Sequence, residues 1–314
     1  METVSELNIF GQYLGETAAL IAAFLWALSS IVYSLLGRNI PPLQLNFLKG
    51  IIAIAFLVIT IFWQGKRQVD FSLVPVIFLA LSGIVGIGLG DTAYFSALNN
   101  LGARRTLLME NLSPVMSAFL ALVFLGEQLS INSWCGILLT LLGVAWVISE
   151  RIPVAIESKQ TWRKGIVWGI IAAVTSSIGA VFSRFALVES DISPLWSSLI
   201  RIAAGNAIVL LLLLKPSKTS KQNTTEARND RLIDYLSLRL LGIITLTAFA
   251  STFLGIWLQQ ISFKFAPAGI AQTLLATSPL FVIPIAAIRG DKITLRGILG
   301  VAIALVGIGL LFSG

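Results

Sequence analysis

The sequence predicts an all-α membrane protein of ten transmembrane helices, arranged as two inverted five-helix repeats. Three observations lead there. Hydrophobic residues fill 56% of the 314 positions and charged residues 12%, far from the usual balance of water-soluble domains. Uncharged runs of about 20 residues, enough to cross the ~30 Å hydrocarbon layer of a bilayer, recur along the whole length. The chain also repeats one pattern. Leu112-Ser113-Pro114 opens an apolar run that closes at Gly126-Glu127, with Gly136 and Gly143-Val144 beyond it. Thr277-Ser278-Pro279 opens a second that closes at Gly290-Asp291, with Gly300 and Gly307-Ile308 beyond. Self-similarity of this kind marks duplication. A long duplicated unit in so apolar a chain fits the two-repeat plan of secondary transporters.

Taken in order, the runs predict helices near 14–36, 44–63, 73–97, 106–125, 129–149, 165–187, 195–214, 238–262, 268–288 and 296–313. Each is apolar around most of its circumference, unlike an amphipathic surface helix. Leu, Ala, Ile and Gly continue without the period-two alternation of barrel strands. Turn signals separate the runs at Gly37 with Pro41-Pro42, at Asn99-Asn100, at Gly126-Glu127 and at Gly290-Asp291. The first repeat covers 1–150 and the second 165–314, joined by 151–164. Five is an odd number of crossings, so the second repeat enters from the opposite side. Glycines along Gly83, Gly86, Gly88 and Gly90, and along Gly300, Gly307 and Gly309, are expected to let helices approach closely in lipid.

The same composition excludes several function classes. The net charge of +7 resides mainly in short connectors, where Lys and Arg report topology and head-group contact rather than nucleic acid. There is no histidine and a single cysteine, Cys135, inside an apolar run. His-based catalysis and common zinc sites are therefore out, and Cys135 is expected to be a packing residue. No metal, cofactor or nucleic acid is expected. A membrane-embedded enzyme would need a nucleophile and base or a metal cluster that this chain does not offer.

Several of these residues also carry a resemblance. Trp26, the Pro42 to Lys49 segment, Pro114, Gly126-Glu127, Gly136 and Gly143-Val144 form one copy. Pro194 to Arg201, Pro279, Gly290-Asp291, Gly300 and Gly307 form the other. The chain thereby resembles the EamA-type ten-helix family of the drug/metabolite transporter superfamily. The resemblance implies an export carrier with a central cavity between inverted halves, and both termini inside the cell. One departure is Lys49, where the family usually has arginine; a lysine lacks the planar fork of a bidentate carboxylate clamp.

Charges within hydrocarbon are costly, so Lys49, Asp91 and Glu110 are candidate functional residues. Each lies less than two helical turns from the face that carries the loops after the first and third helices, so the three can meet at one depth. Their functional reading is proton coupling or recognition of a substrate amine, because burial beside a second acid favours a protonated carboxyl. Their bland reading is an ion pair near the interface with Lys49 snorkelling to head groups. In the repeat, Asp91 and Glu110 align with Ile256 and Leu275. Pure scaffold would tend to be repeated. Arg201, Gln259, Gln260 and Gln272 group toward the opposite face and can bind substrate or one another. Trp26 and Trp257 are candidate cavity walls. Tyr94, Asn111, Ser176 and Ser177 complete the set. Glu127 and Asp291 read as structural acids that favour the N-terminus of the helix following each.

Loop charge gives a different orientation from the resemblance. Arg38, Arg104-Arg105, the basic residues of 151–164 and 215–231, Arg289 and Lys292 share one side. The other has little beyond Lys66, Arg67, Arg184 and Lys264. Positive-inside reasoning makes the first side cytoplasmic and leaves both termini outside.

The expected function is secondary active export of a small polar or amphipathic metabolite, such as an amino acid, by alternating access with protons as coupling ion. The expected setting is a bacterial inner membrane, with the chain a monomer or homodimer. The alternative is a lipid-handling or assembly subunit of the same fold.

Overall fold

A computed structural model describes residues 13–36, 40–65, 72–101, 103–148, 159–214, 238–281 and 295–313. Among these residues the structure is all-helical, and no strand occurs. The helices are α1 (Leu14–Leu36), α2 (Pro42–Trp63), α3 (Leu73–Leu101), α4 (Ala103–Glu110), α5 (Leu112–Leu125) and α6 (Ile131–Ile148). They continue as α7 (Lys159–Val188), α8 (Pro194–Leu214), α9 (Leu238–Phe265), α10 (Ala268–Leu275) and α11 (Leu295–Ser313). Among the described residues eight spans are long and apolar enough to cross a membrane, and Leu14–Ser30 is a shorter apolar helix. The expected helix at 268–288 is described only to Phe281.

The bundle is apolar outside and small-residue inside. Phe62, Trp63, Phe119, Phe124 and Leu142 are exposed, whereas Ala19, Ala22, Ala23, Ala53 and Ala172 are buried. That is the pattern expected where lipid solvates large side chains and helices associate through small ones. Cys135 is exposed on α6. The expectation that it packs in the interior is thus corrected: it stands on the lipid-facing side of its helix.

Glycine sets the close contacts. A methyl placed on Gly143 would lie 2.6 Å from the Gly300 carbonyl oxygen, and one on Gly136 would lie 2.9 Å from that of Gly307. The earlier glycine of α6 meets the later one of α11, so the two helices run antiparallel. On α3, Gly83 lies against the Arg201 backbone and Gly86 against Gly179, which presses α3 onto α8 and α7.

Two departures from straight α-helix occur, each in both halves. Residues Gly83–Asp91 of α3 and Phe249–Leu254 of α9 are π-helical, at places related by the 165-residue offset between Asp91 and Ile256. A wider turn frees main-chain groups. Asn46 Nδ2 donates to the Ile87 carbonyl at 3.2 Å, and Trp26 Nε1 donates to the Ser251 carbonyl at 2.8 Å. The second departure is a break. The expected single helix at 106–125 is two helices parted at Asn111, and helix 268–288 is interrupted at Ala276-Thr277 before resuming at Ser278. Both breaks lie just before a proline, Pro114 or Pro279, which has no N–H to offer the carbonyl four residues back.

Connector chemistry follows the turn signals. Gly126 ends α5 at φ +66°, a left-handed conformation that favours glycine. Glu127 then does something its sequence neighbours did not suggest. Its Oε1 accepts from Arg184 Nε at 2.6 Å and its Oε2 from the Ala268 N–H at 3.0 Å. It stabilises the N-terminus of α10, from the other half, rather than that of its own next helix. Asp291 lies outside the described residues. Helix α7 starts at Lys159, ahead of the expected 165, because its polar first turns are invisible to hydropathy.

Candidate functional site

The π stretches and the breaks converge on the centre of the bundle. A cavity of about 450 Å³ lies between them, with wall residues from α1, α2, α3, α4, α7, α8, α9 and α10. A smaller one of about 150 Å³ adjoins it, shares Tyr94, Ser176, Gln272 and Pro279, and reaches both breaks at Asn111 and Ala276.

Each half contributes one cation to the larger cavity. Lys49, 9% exposed, projects from α2 and donates to Asp91 Oδ2 at 2.6 Å. Its ammonium also stands 5.2 Å from the centre of the Phe95 ring, a cation–π distance. Asp91 occupies the last position of the α3 π stretch, so the stretch aims its carboxylate. Arg201, 4% exposed, projects from α8 and donates through one terminal nitrogen to Gln259 Oε1 at 3.2 Å. Its Nε is buried with no hydrogen-bond partner.

The placement of the predicted residues is mixed. Trp26, Lys49, Asp91, Tyr94, Arg201 and Gln272 line the larger cavity. Glu110 and Asn111 line the smaller, and Glu110 lies within electrostatic reach of Asp91. The two expected groupings on opposite faces therefore merge. Gly50 of α2 packs on Asn206 of the antiparallel α8, so Lys49 and Arg201 differ in depth by roughly 9 Å, between one and two turns.

Two residues fall elsewhere. Trp257 packs beside Phe253 at a ring separation of 6.0 Å, and Gln260 is fully buried, accepting from Ser197 Oγ at 2.7 Å. Neither lines either of these two cavities. Gln259 does, because one residue along a helix rotates a side chain by about 100°. Tyr33, Ser251 and Thr252 also line the larger cavity, beyond the residues the sequence singles out. Tyr33 Oη pairs with Ser251 Oγ at 2.9 Å. The available signal was a tyrosine inside an apolar run, whose hydroxyl needs a partner away from water.

The profile of the EamA-like transporter family matches residues 13–149 and, a second time, residues 163–313. The chain belongs to the EamA-like transporter family. Among its relatives, an uncharacterized transporter of Archaeoglobus fulgidus is 22% identical over 93% of this chain and 96% of its own length. The uncharacterized transporter YyaM of Bacillus subtilis is 23% identical over 97% of this chain and 93% of its own. The uncharacterized transporter YoaV, also of Bacillus subtilis, is 25% identical over a stretch that spans only 45% of that protein. A crystal structure of a protein 18% identical superposes with a TM-score of 0.71, covering 94% of this chain and 95% of that one. The EamA-like fold is thus shared with a solved structure, and the protein is an integral membrane protein of a transporter family.

Proposed function

We propose that the protein is a secondary active transporter that exports a small polar or amphipathic metabolite, such as an amino acid, in exchange for protons. In this reading ten helices form two inverted five-helix repeats, 1–150 and 165–314, which rock about the central cavity. The antiparallel glycine contacts of α6 with α11 support inversion, and the duplicated π stretches and proline breaks support the repeat.

The observation that carries the proposal is the Lys49–Asp91 pair lining the central cavity, with Glu110 in the adjoining space. A scaffold ion pair would be cheaper at the bundle rim. A carboxylate at a solute cavity, held by a lysine that can let go, suits alternate binding of a proton and a solute. The aromatic lining, with Trp26, Tyr94 and Phe95, fits a small solute better than a lipid head group at an open lateral gap.

Charge sets the orientation we adopt. Arg184 is held by Glu127, and Lys264 donates to the Ile192 carbonyl at 3.0 Å. Both are structural contacts on the charge-poor side, which leaves the basic loops as the cytoplasmic side. A bacterial inner membrane is the setting for which this orientation is drawn. A phosphatase fused after Gly314 is expected to be active outside the cytoplasm; an inactive fusion with a fluorescent cytoplasmic counterpart reverses the orientation.

The test is flux in proteoliposomes across a panel of metabolites, with and without an imposed pH gradient. Asp91→Asn and Glu110→Gln are expected to reduce gradient-driven flux to the level of empty liposomes. Wild-type flux in both variants would remove the acids from the mechanism.

A further inference from the structure

Half-buried Arg184 and buried Arg201 are employed differently. Arg184 donates Nε to Glu127 and a terminal nitrogen to the Phe263 and Lys264 carbonyls at 3.0 and 2.8 Å. That is a structural arginine, with its charge and its donors answered. Arg201 is more deeply buried and far less satisfied. It has Gln259 as partner, its Nε has none, and no carboxylate oxygen of the described residues lies within 4.0 Å of it.

The repeat shows what is missing. Lys49 follows Pro42 by the spacing at which Arg201 follows Pro194, and Lys49 is answered by Asp91 on α3. At the position corresponding to Asp91, α9 carries Ile256, which lines the cavity. Asp91 is within electrostatic reach of Arg201, but its Oδ2 is taken by Lys49. A guanidinium keeps its charge in any surroundings and offers five donors in a planar fork. Burying it without a counter-ion is costly, and the cost is relieved when an anion enters.

We propose that Arg201 anchors an anionic oxygen group, a carboxylate or a phosphate, on the solute that occupies this cavity. Gln259 orients the guanidinium, and Trp26, Phe95 and Phe263 receive the apolar body of the same solute. That the anion belongs to a transported solute rests on the transport reading; the anion site does not, because it is tested at equilibrium.

The full chain, purified in lipid nanodiscs, is titrated calorimetrically with benzoate, phenyl phosphate, the neutral isostere benzamide and benzylammonium. Benzoate or phenyl phosphate is expected to bind, and the tighter of the two identifies the group. Benzamide and benzylammonium are expected to bind at least about tenfold more weakly. Arg201→Gln is expected to weaken anion binding by on the order of ten- to a hundredfold, with Arg201→Lys intermediate. Equal affinity for benzamide and benzoate, no binding of either anion, or full anion affinity in Arg201→Gln overturns the proposal. If Arg201→Gln does not elute as a single folded species, the wild-type comparison and Arg201→Lys decide. A chain that binds benzoate through Arg201 yet moves no solute keeps this site and loses the transport reading.

Discussion

Helices α3 and α9 carry π stretches at matching places, and in each a main-chain carbonyl there is taken by a side chain from another helix. Both line the same cavity. Yet α3 ends its stretch with Asp91, which neutralises Lys49, while α9 carries Ile256 and leaves Arg201 with an amide for company. Backbone features, prolines and glycines survived duplication in both copies. A cation is kept in both, as Lys49 and Arg201, but the cavity acids Asp91 and Glu110 are matched by Ile256 and Leu275. The lesson is that packing constraints apply to both halves equally, whereas one cavity needs each chemical function only once.

The comparison has its sharpest contrast in the two arginines. Glu127→Ala is expected to destabilise the fold by about 3–5 kcal/mol, because it strands Arg184 in a partly buried site and uncaps α10. Arg201→Gln is expected to leave the melting temperature near wild type or above it. Thermal unfolding monitored by intrinsic fluorescence would break the contrast if both variants lost the same stability.

A second experiment asks whether the packing symmetry is energetic as well as geometric. Gly143→Ala and Gly307→Ala each put a methyl into the α6–α11 contact. Each is expected to cost about 1–3 kcal/mol, by similar amounts. A clear inequality in denaturant or thermal midpoints would show that the two copies bear unequal loads.

The smallest expected effect is the most diagnostic. Ile256→Asp supplies the carboxylate that the second half lacks and is expected to pair with Arg201. Benzoate affinity should then fall by about tenfold, with little loss of stability. Unchanged affinity would mean that the side chain at 256 does not face Arg201 as Asp91 faces Lys49.

Much of this was legible beforehand. The apolar runs placed α2, α6, α8 and α11 within a few residues, since burial in lipid demands an uninterrupted apolar length. Lys49, Asp91, Arg201 and Gln272 stood out because charge and amide groups are rare in such runs. The breaks at Asn111 and Ala276 had a cue in Pro114 and Pro279 that hydropathy alone does not weigh. The π stretches had none, since they are a change of backbone register rather than of composition. Gln259 and Gln260 are equivalent to any count along the chain, and so are Trp26 and Trp257 as aromatic residues within apolar runs. Helix rotation separates them.

What the sequence by itself determined is the solvent: a chain this apolar, broken at these intervals and written twice, must place its helices across a bilayer. What only the tertiary structure decided is which polar groups face one another. Lys49 and Asp91 are neighbours because α2 and α3 meet at one depth, and Arg201 stands apart because α9 turns Ile256 to the cavity. Pairing energies depend on a few ångströms between side chains on different helices, and no one-dimensional pattern records that distance.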